Sequence, residues 1–149
     1  MMLKTHLAIG VAGALFLVPH VNNKILFLVF VLLATVAPDI DMAHSYAGRK
    51  WYFRPLQLFS VHRGFFHSFT FCFLLGLILA FFAPILALPV FYAYGLHLLS
   101  DSFTLEGIRP FWPFRDEIKG KINVGGAVEE TVFVIFCVFG VVLLVGLFF

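Results

Sequence analysis

Charged residues are scarce in this chain. Lys, Arg, Asp and Glu make up 12% of its 149 residues, while 62% of the residues are hydrophobic; a soluble domain has about 25% charged and about 45–50% apolar residues. This scarcity excludes an ordinary soluble domain, and a formal net charge of +2 is too small to indicate binding to nucleic acid. Because the apolar runs are continuous and do not alternate with polar residues, the sequence predicts an all-α bundle with membrane lipid as its main solvent.

Cysteine is scarce as well. Cys72 and Cys137 both stand inside apolar runs, which is typical of small buried hydrophobic residues and does not indicate a disulfide or a thiolate metal site. A cleaved signal peptide is the alternative interpretation of the N-terminal apolar run, but no small-x-small cleavage motif follows it. The sequence contains no repeats and no segment of different composition. Residues 1–149 are therefore expected to form a single integral membrane domain.

Apolar segments predict about five membrane helices. Only the last segment approaches the roughly 20 residues that cross a bilayer unaided. The first two are short, and the sequence leaves open whether they reach the far side. The segments cover approximately residues 7–18, 25–37, 69–83, 85–100 and 131–149.

Basic residues predict how these helices are oriented, because Lys and Arg in short loops favour the cytoplasmic side. If the N-terminus is cytoplasmic, nine of the ten basic residues lie inside and only Lys24 lies outside. We therefore expect a multi-pass protein of the inner (plasma) membrane with its C-terminus outside.

Histidine and acidic residues gather at helix ends that this topology places on the cytoplasmic face. Taken singly, each has a simpler interpretation as an interfacial residue or a helix cap. Jointly they indicate a site, because ionisable groups at membrane depth are costly and usually functional. His97 and Asp101 are four residues apart, so they share one helix face and can bind one ion. The predicted metal ligands are His6, Asp39, Asp41, His62, His67, His97 and Asp101.

Mixed histidine and carboxylate ligands predict the chemistry of this site. Such a set without cysteine suits Zn²⁺ best, with Mn²⁺ or Fe²⁺ as alternatives, and its size leaves room for one or two ions or more. Metal-assisted hydrolysis of a phosphoester is the predicted reaction, with an ester or amide left open. Arg63 would stabilise developing charge, and Glu129 would act as a ligand or a general base. At headgroup level, a phospholipid or another lipid-linked substrate is expected.

Motifs in a fixed order carry a family resemblance. They are Thr5-His6, Pro38-Asp39-Ile40-Asp41, His62-Arg63-Gly64-Phe65-Phe66-His67-Ser68, His97 with Asp101, and Gly125-Gly126 with Glu129. In this set the chain resembles the YdjM/YbcI-like family of predicted membrane-bound metal-dependent hydrolases. The resemblance implies a helical inner-membrane protein with a hydrolase site. Two positions depart from the family pattern, Phe66 for Thr and Met42 for His, which leaves the role of His44 open.

Two other functions remain open from the sequence. A metal site could serve stability or recruit a partner without catalysis, and a closed site would favour that alternative. A metal or proton transporter ranks third, because transport places ionisable groups near the bilayer midplane and the middles of these segments carry none. A bundle this small could also form a homodimer.

Overall fold

The computed structural model describes residues 1–41 and 64–149, except for the side chains of Ile40 and Asp41. Within this part the chain is helical, with isolated β-bridges but no strand, so the prediction of an all-helical protein is confirmed. The helices are α1 (Leu3–Leu17), α2 (Lys24–Val36), α3 (Phe69–Phe82), α4 (Pro84–Ser102) and α5 (Ala127–Gly146).

The boundary between α2 and the segment after it is set by proline. Pro38 has no backbone N–H, so it cannot continue the hydrogen-bonding pattern of the helix. The α-helix ends at Val36, and Ala37–Asp41 continues as a 3₁₀ turn. Asp39 therefore lies in this turn and not in α2.

Small residues allow the helices to approach closely. Helix α1 packs against α2 and α5, while α4 packs against both α2 and α3. A Cβ atom on Gly10 would lie 2.6 Å from Thr35 Oγ1, so glycine is what lets α1 meet α2 here. The core between α1, α2 and α4 includes Ala14, Val31 and Ala93. Small residues at helix contacts are typical of bundles in membranes.

Residues 103–126 form a folded loop that braces two helix ends. Ile108 and Ile118 exchange backbone hydrogen bonds of 3.0 and 2.9 Å. The carbonyl of Pro110 accepts from the backbone N–H groups of Phe69 (2.9 Å) and Thr70 (3.3 Å), which are donors that a helix start leaves unpaired. The loop therefore fixes the start of α3 beside the end of α4.

Two helices in the described part are long and apolar enough to cross a membrane. They are Leu3–His20, which includes the 3₁₀ turn after α1, and Ala127–Gly146; Phe69–Phe82 is a shorter apolar helix. At 13 residues, α2 is about 20 Å long, against about 30 Å of hydrocarbon in a bilayer. Five complete spans therefore stay a prediction.

Candidate metal centre

Three histidines from different elements converge on one buried carboxylate. His6 lies in the first turn of α1, His67 in the turn before α3, and His97 near the end of α4. Their Nε2 atoms lie 3.2, 3.0 and 3.6 Å from the nearest carboxylate oxygen of Asp101. All four side chains are buried, so the helix ends bring one polar cluster into an otherwise apolar bundle.

Asp39 adds a second carboxylate to this group. Its Oδ1 lies 3.6 Å from Nε2 of His97, and 14% of its side chain is exposed. Two groups of three residues could each hold a metal ion, because the ligand atoms within each group lie within 4.8 Å of one another. The groups are His6, His97 and Asp101, and Asp39, His67 and His97. We call these five residues the His–Asp cluster.

His67 reaches the cluster from a turn, not from a helix. Its backbone N–H donates to the carbonyl of Gly64 at 3.1 Å. Ser68 then caps α3, because its hydroxyl accepts from the backbone N–H of Phe71 at 3.2 Å.

The outer nitrogens of two histidines are fixed by backbone carbonyls. Nδ1 of His97 lies 2.7 Å from the carbonyl of Thr35, and Nδ1 of His67 lies 3.3 Å from that of Pro38. Because a carbonyl only accepts, Nδ1 of His97 carries the hydrogen and donates it. His67 has an acceptor on each side, since its Nε2 also bonds a carboxylate oxygen of Asp101 at 3.0 Å. In an α-helix the carbonyl of Thr35 would accept from the N–H of residue 39. Because the α-helix ends at Val36, before Pro38, and continues as a 3₁₀ turn, this carbonyl is available to His97.

His6 has the same proton arrangement through Ser100. The hydroxyl of Ser100 donates to the carbonyls of Leu96 (2.7 Å) and His97 (2.9 Å). Its oxygen is therefore left to accept from Nδ1 of His6 at 3.1 Å. The rings of His6 and His97 stack 3.8 Å apart at 9°, which places their Nε2 atoms side by side.

A neutral imidazole protonated at Nδ1 has only a lone pair at Nε2. In the cluster these lone pairs face carboxylate oxygens, which also only accept. Nε2 of His6 and of His97 accordingly makes no hydrogen bond, although both are buried, and an unsatisfied buried polar atom costs about 1–3 kcal/mol.

A cation between the acceptors removes this conflict, whereas protonating two stacked, buried rings would place like charges together. Metal-ligating histidines commonly donate their other N–H to a carbonyl, as His97 does to Thr35. The donor set thus fits Zn²⁺, Mn²⁺ or Fe²⁺.

Glu129 holds the N-terminus against the cluster. Its buried carboxylate accepts from the backbone N–H groups of Met2 and Gly125, both at 2.6 Å. The terminal ammonium of Met1 contacts Asp101. Within the described residues Glu129 belongs to neither set of potential ligand atoms, and its predicted catalytic role stays a prediction.

Some predicted residues lie outside the described part of the chain. His44, His62 and Arg63 fall in the gap between residues 41 and 64, and the side chain of Asp41 is not described. Conversely, sequence reasoning missed Ser100 and the carbonyl of Thr35 as partners of the histidines. Pro38 three residues after Thr35 was the available signal for that carbonyl.

The fold and the cluster define a class, a helical membrane protein with a buried His–Asp group at one end. Residues 1–148 match the family described as YdjM inner membrane protein, and the chain belongs to that family. It is therefore an inner membrane protein, as the sequence predicted. No curated protein and no solved structure matches the chain.

Proposed function

We propose that this protein is a membrane-bound metal-dependent hydrolase and that the His–Asp cluster binds its metal. One observation carries the proposal. His6 and His97 are held from outside through Nδ1, and their buried Nε2 atoms face carboxylate oxygens without a hydrogen bond. His67 directs its Nε2 at the same carboxylate of Asp101. Zinc is the first candidate, with manganese and iron as alternatives.

The chain's own residues would position the reaction. A bound divalent ion supplies a hydroxide nucleophile near neutral pH and polarises the bond that is cleaved. Asp101 and the three histidines would form the buried wall of the centre, and Asp39, with 14% of its side chain exposed, would stand on its accessible side. Arg63, outside the described residues, is proposed to stabilise charge that develops on the substrate, and Glu129 to act as a general base or to hold the N-terminus.

The proposed substrate is a phosphoester of a membrane lipid in the cytoplasmic leaflet. All members of the cluster lie at or near helix ends, which the proposed topology would place at the level of the lipid headgroups. The placement requires five spans with a cytoplasmic N-terminus, which the distribution of Lys and Arg supports. Alkaline phosphatase fused after Phe149 should be active and green fluorescent protein dark; the reverse result would overturn this orientation.

Metal content tests the proposal directly. Protein purified in mild detergent should contain at least one transition-metal ion per chain by elemental mass spectrometry. The double variant His97→Ala with Asp101→Ala should lose it. His20→Ala is the matched control, because His20 is exposed at the opposite end of α1, and it should keep the metal.

Hydrolysis is then measured with the same preparations. Wild type and His20→Ala should release product from phosphatidic acid, and the double variant should not. A wild-type protein without metal, even after zinc or manganese supplementation, would overturn the metal site and the hydrolase together.

A structural metal site is the second candidate. The side chains of His6, His67 and His97 are completely buried, and closed coordination is typical of structural zinc. Metal-loaded protein that cleaves neither phosphoesters nor carboxylic esters, yet melts at a lower temperature after chelation, would favour this function.

A further inference from the structure

An apolar pocket adjoins the His–Asp cluster between α1, α4 and α5. Its volume is about 210 Å³, and its accessible lining is apolar. Ile9 comes from α1, Leu96 and Leu99 from α4, and Val132 and Phe136 from α5. We call it the inner pocket.

The inner pocket and the cluster share a wall. Ser100 and Met1 both line the pocket. The hydroxyl of Ser100 accepts from Nδ1 of His6 at 3.1 Å, and the terminal ammonium of Met1 contacts Asp101. A molecule in the pocket would therefore lie next to any group held at the cluster.

The chemistry of the pocket selects an apolar guest. A cavity of about 150 Å³ lined by Leu, Ile and Phe stays dry and binds small hydrocarbons, and the inner pocket is larger and equally apolar. Leu99 and Phe103 on its rim are about half exposed. Since α1 and α5 contain the two candidate membrane spans, the molecules that reach this rim in a bilayer are lipids.

We infer that the inner pocket binds a stretch of one acyl chain of a membrane lipid whose headgroup lies at the His–Asp cluster. The substrate then enters sideways from the bilayer, and a water-soluble phosphoester without an acyl chain is a poor substrate. The role of the headgroup rests on the proposed function, whereas binding of the acyl chain does not.

A larger apolar groove of about 500 Å³ lies between α1 and α5 and serves as the internal comparison. Val11, Val141 and Leu144 line it, and no member of the cluster does. We call it the outer groove. A lipid held there would be solvating the helices and would not be placed for reaction.

Photo-crosslinking distinguishes the two places. The full-length protein is reconstituted in nanodiscs with a phosphatidic acid that carries a diazirine midway along one acyl chain. After irradiation, the lipid adducts on the protein are mapped by peptide mass spectrometry. We expect adducts on Leu96, Leu99 and Val132, which line the inner pocket and not the outer groove. Val132→Trp, which fills the inner pocket, should reduce them several-fold, whereas Val141→Trp in the outer groove should leave them unchanged.

Two outcomes would overturn the inference: wild-type adducts confined to residues of the outer groove such as Val141 and Leu144, or adducts on Leu96 and Leu99 that persist undiminished in Val132→Trp. The wild-type map decides even if that variant folds poorly. Metal content is measured on the same samples. Adducts at the inner pocket in a protein without metal would uphold the lipid site and reject the hydrolase, so the two failures are separable.

Discussion

Two regions of this protein reverse the burial pattern of a soluble domain. At one end, His6, His67, His97, Asp101 and Glu129 are 2% exposed or less. On the surface, large apolar residues are widely exposed, among them Ile25, Phe81 and Phe82, each 78–81% exposed. In water this pattern would be unstable, because charged residues are rarely buried unless paired.

The exposed apolar surface and the buried polar end obtain their stability from different sources. Exposed phenylalanine costs little in lipid, since the surrounding chains are equally apolar. The buried polar end has no such support, and it is stable only if each donor and acceptor has a partner. The outer nitrogens of the histidines have theirs, and the proposed cation would supply one for Nε2 of His6 and of His97. Replacing a member of the buried polar end should therefore lower the free energy of unfolding more than any substitution on the apolar surface.

The largest effect is expected for Asp101→Asn. Asp101 is the carboxylate nearest to His6 and His67, so its loss leaves buried groups uncompensated, at a cost of about 3–5 kcal/mol in the free energy of unfolding. Zinc at 100 times its dissociation constant should stabilise wild type by about 2.7 kcal/mol and the variant not at all. Thermal unfolding with and without chelator measures both, with His20→Gln as the control.

An equal response of wild type and Asp101→Asn to chelator would contradict the assignment of Asp101 as a ligand. A loss of stability without any metal dependence in wild type would show that the cluster is held by imidazolium charges instead.

A smaller effect is expected for Glu129→Gln, and the neighbouring glutamate provides its control. Two backbone N–H groups lose a charged acceptor, which should cost about 1.5–3 kcal/mol. Glu130 is half exposed and pairs with Lys4 on the surface, so Glu130→Gln should cost about 0–1 kcal/mol. Both variants should keep their metal. Loss of metal in Glu129→Gln alone would identify Glu129 as a ligand.

Hydropathy located the helices but not the starts of α1 and α5. Each begins four residues before its apolar segment, at Leu3 and Ala127. Lys4 and Glu129 are polar, so the apolar segments predicted from hydropathy begin after them. A helix is defined by its backbone hydrogen bonds, which also include polar residues. Burial of Glu129 depends on packing against α1, which no local pattern contains. The lengths of α2 and α3 likewise leave the number of spans a prediction.

The members of the His–Asp cluster were predictable because they occupy helix ends on one face. Their arrangement was not, since three histidines share Asp101 only through the packing of α1, α3 and α4. The outer partners were hidden for another reason: every residue has a carbonyl, so the acceptors Thr35 and Pro38 have no side-chain signature. The roles of His62 and Arg63 stay predictions.

The smallest effect is expected in the loop, where the charges are exposed. Lys119 and then Arg109 lower the pKa of Glu117 from 4.5 to about 2. Because the folded-state pKa is the lower one, these ion pairs stabilise the loop above about pH 4.5, and the stabilisation is lost as the pH falls towards 2. Glu117→Gln should therefore melt slightly below wild type at neutral pH and low salt, and the gap should close on acidification.

Salt and a neighbouring residue provide the controls for this variant. The gap should also narrow in high salt, because exposed charges are screened, whereas the effect of Asp101→Asn should persist because its partners are buried. Asp116→Asn removes an adjacent exposed carboxylate and should not change the melting temperature. A difference in melting temperature between Glu117→Gln and wild type that does not change with pH or salt would mean that Glu117 acts through packing. The loop would then be stabilised as the buried end of the molecule is, and not by exposed charges.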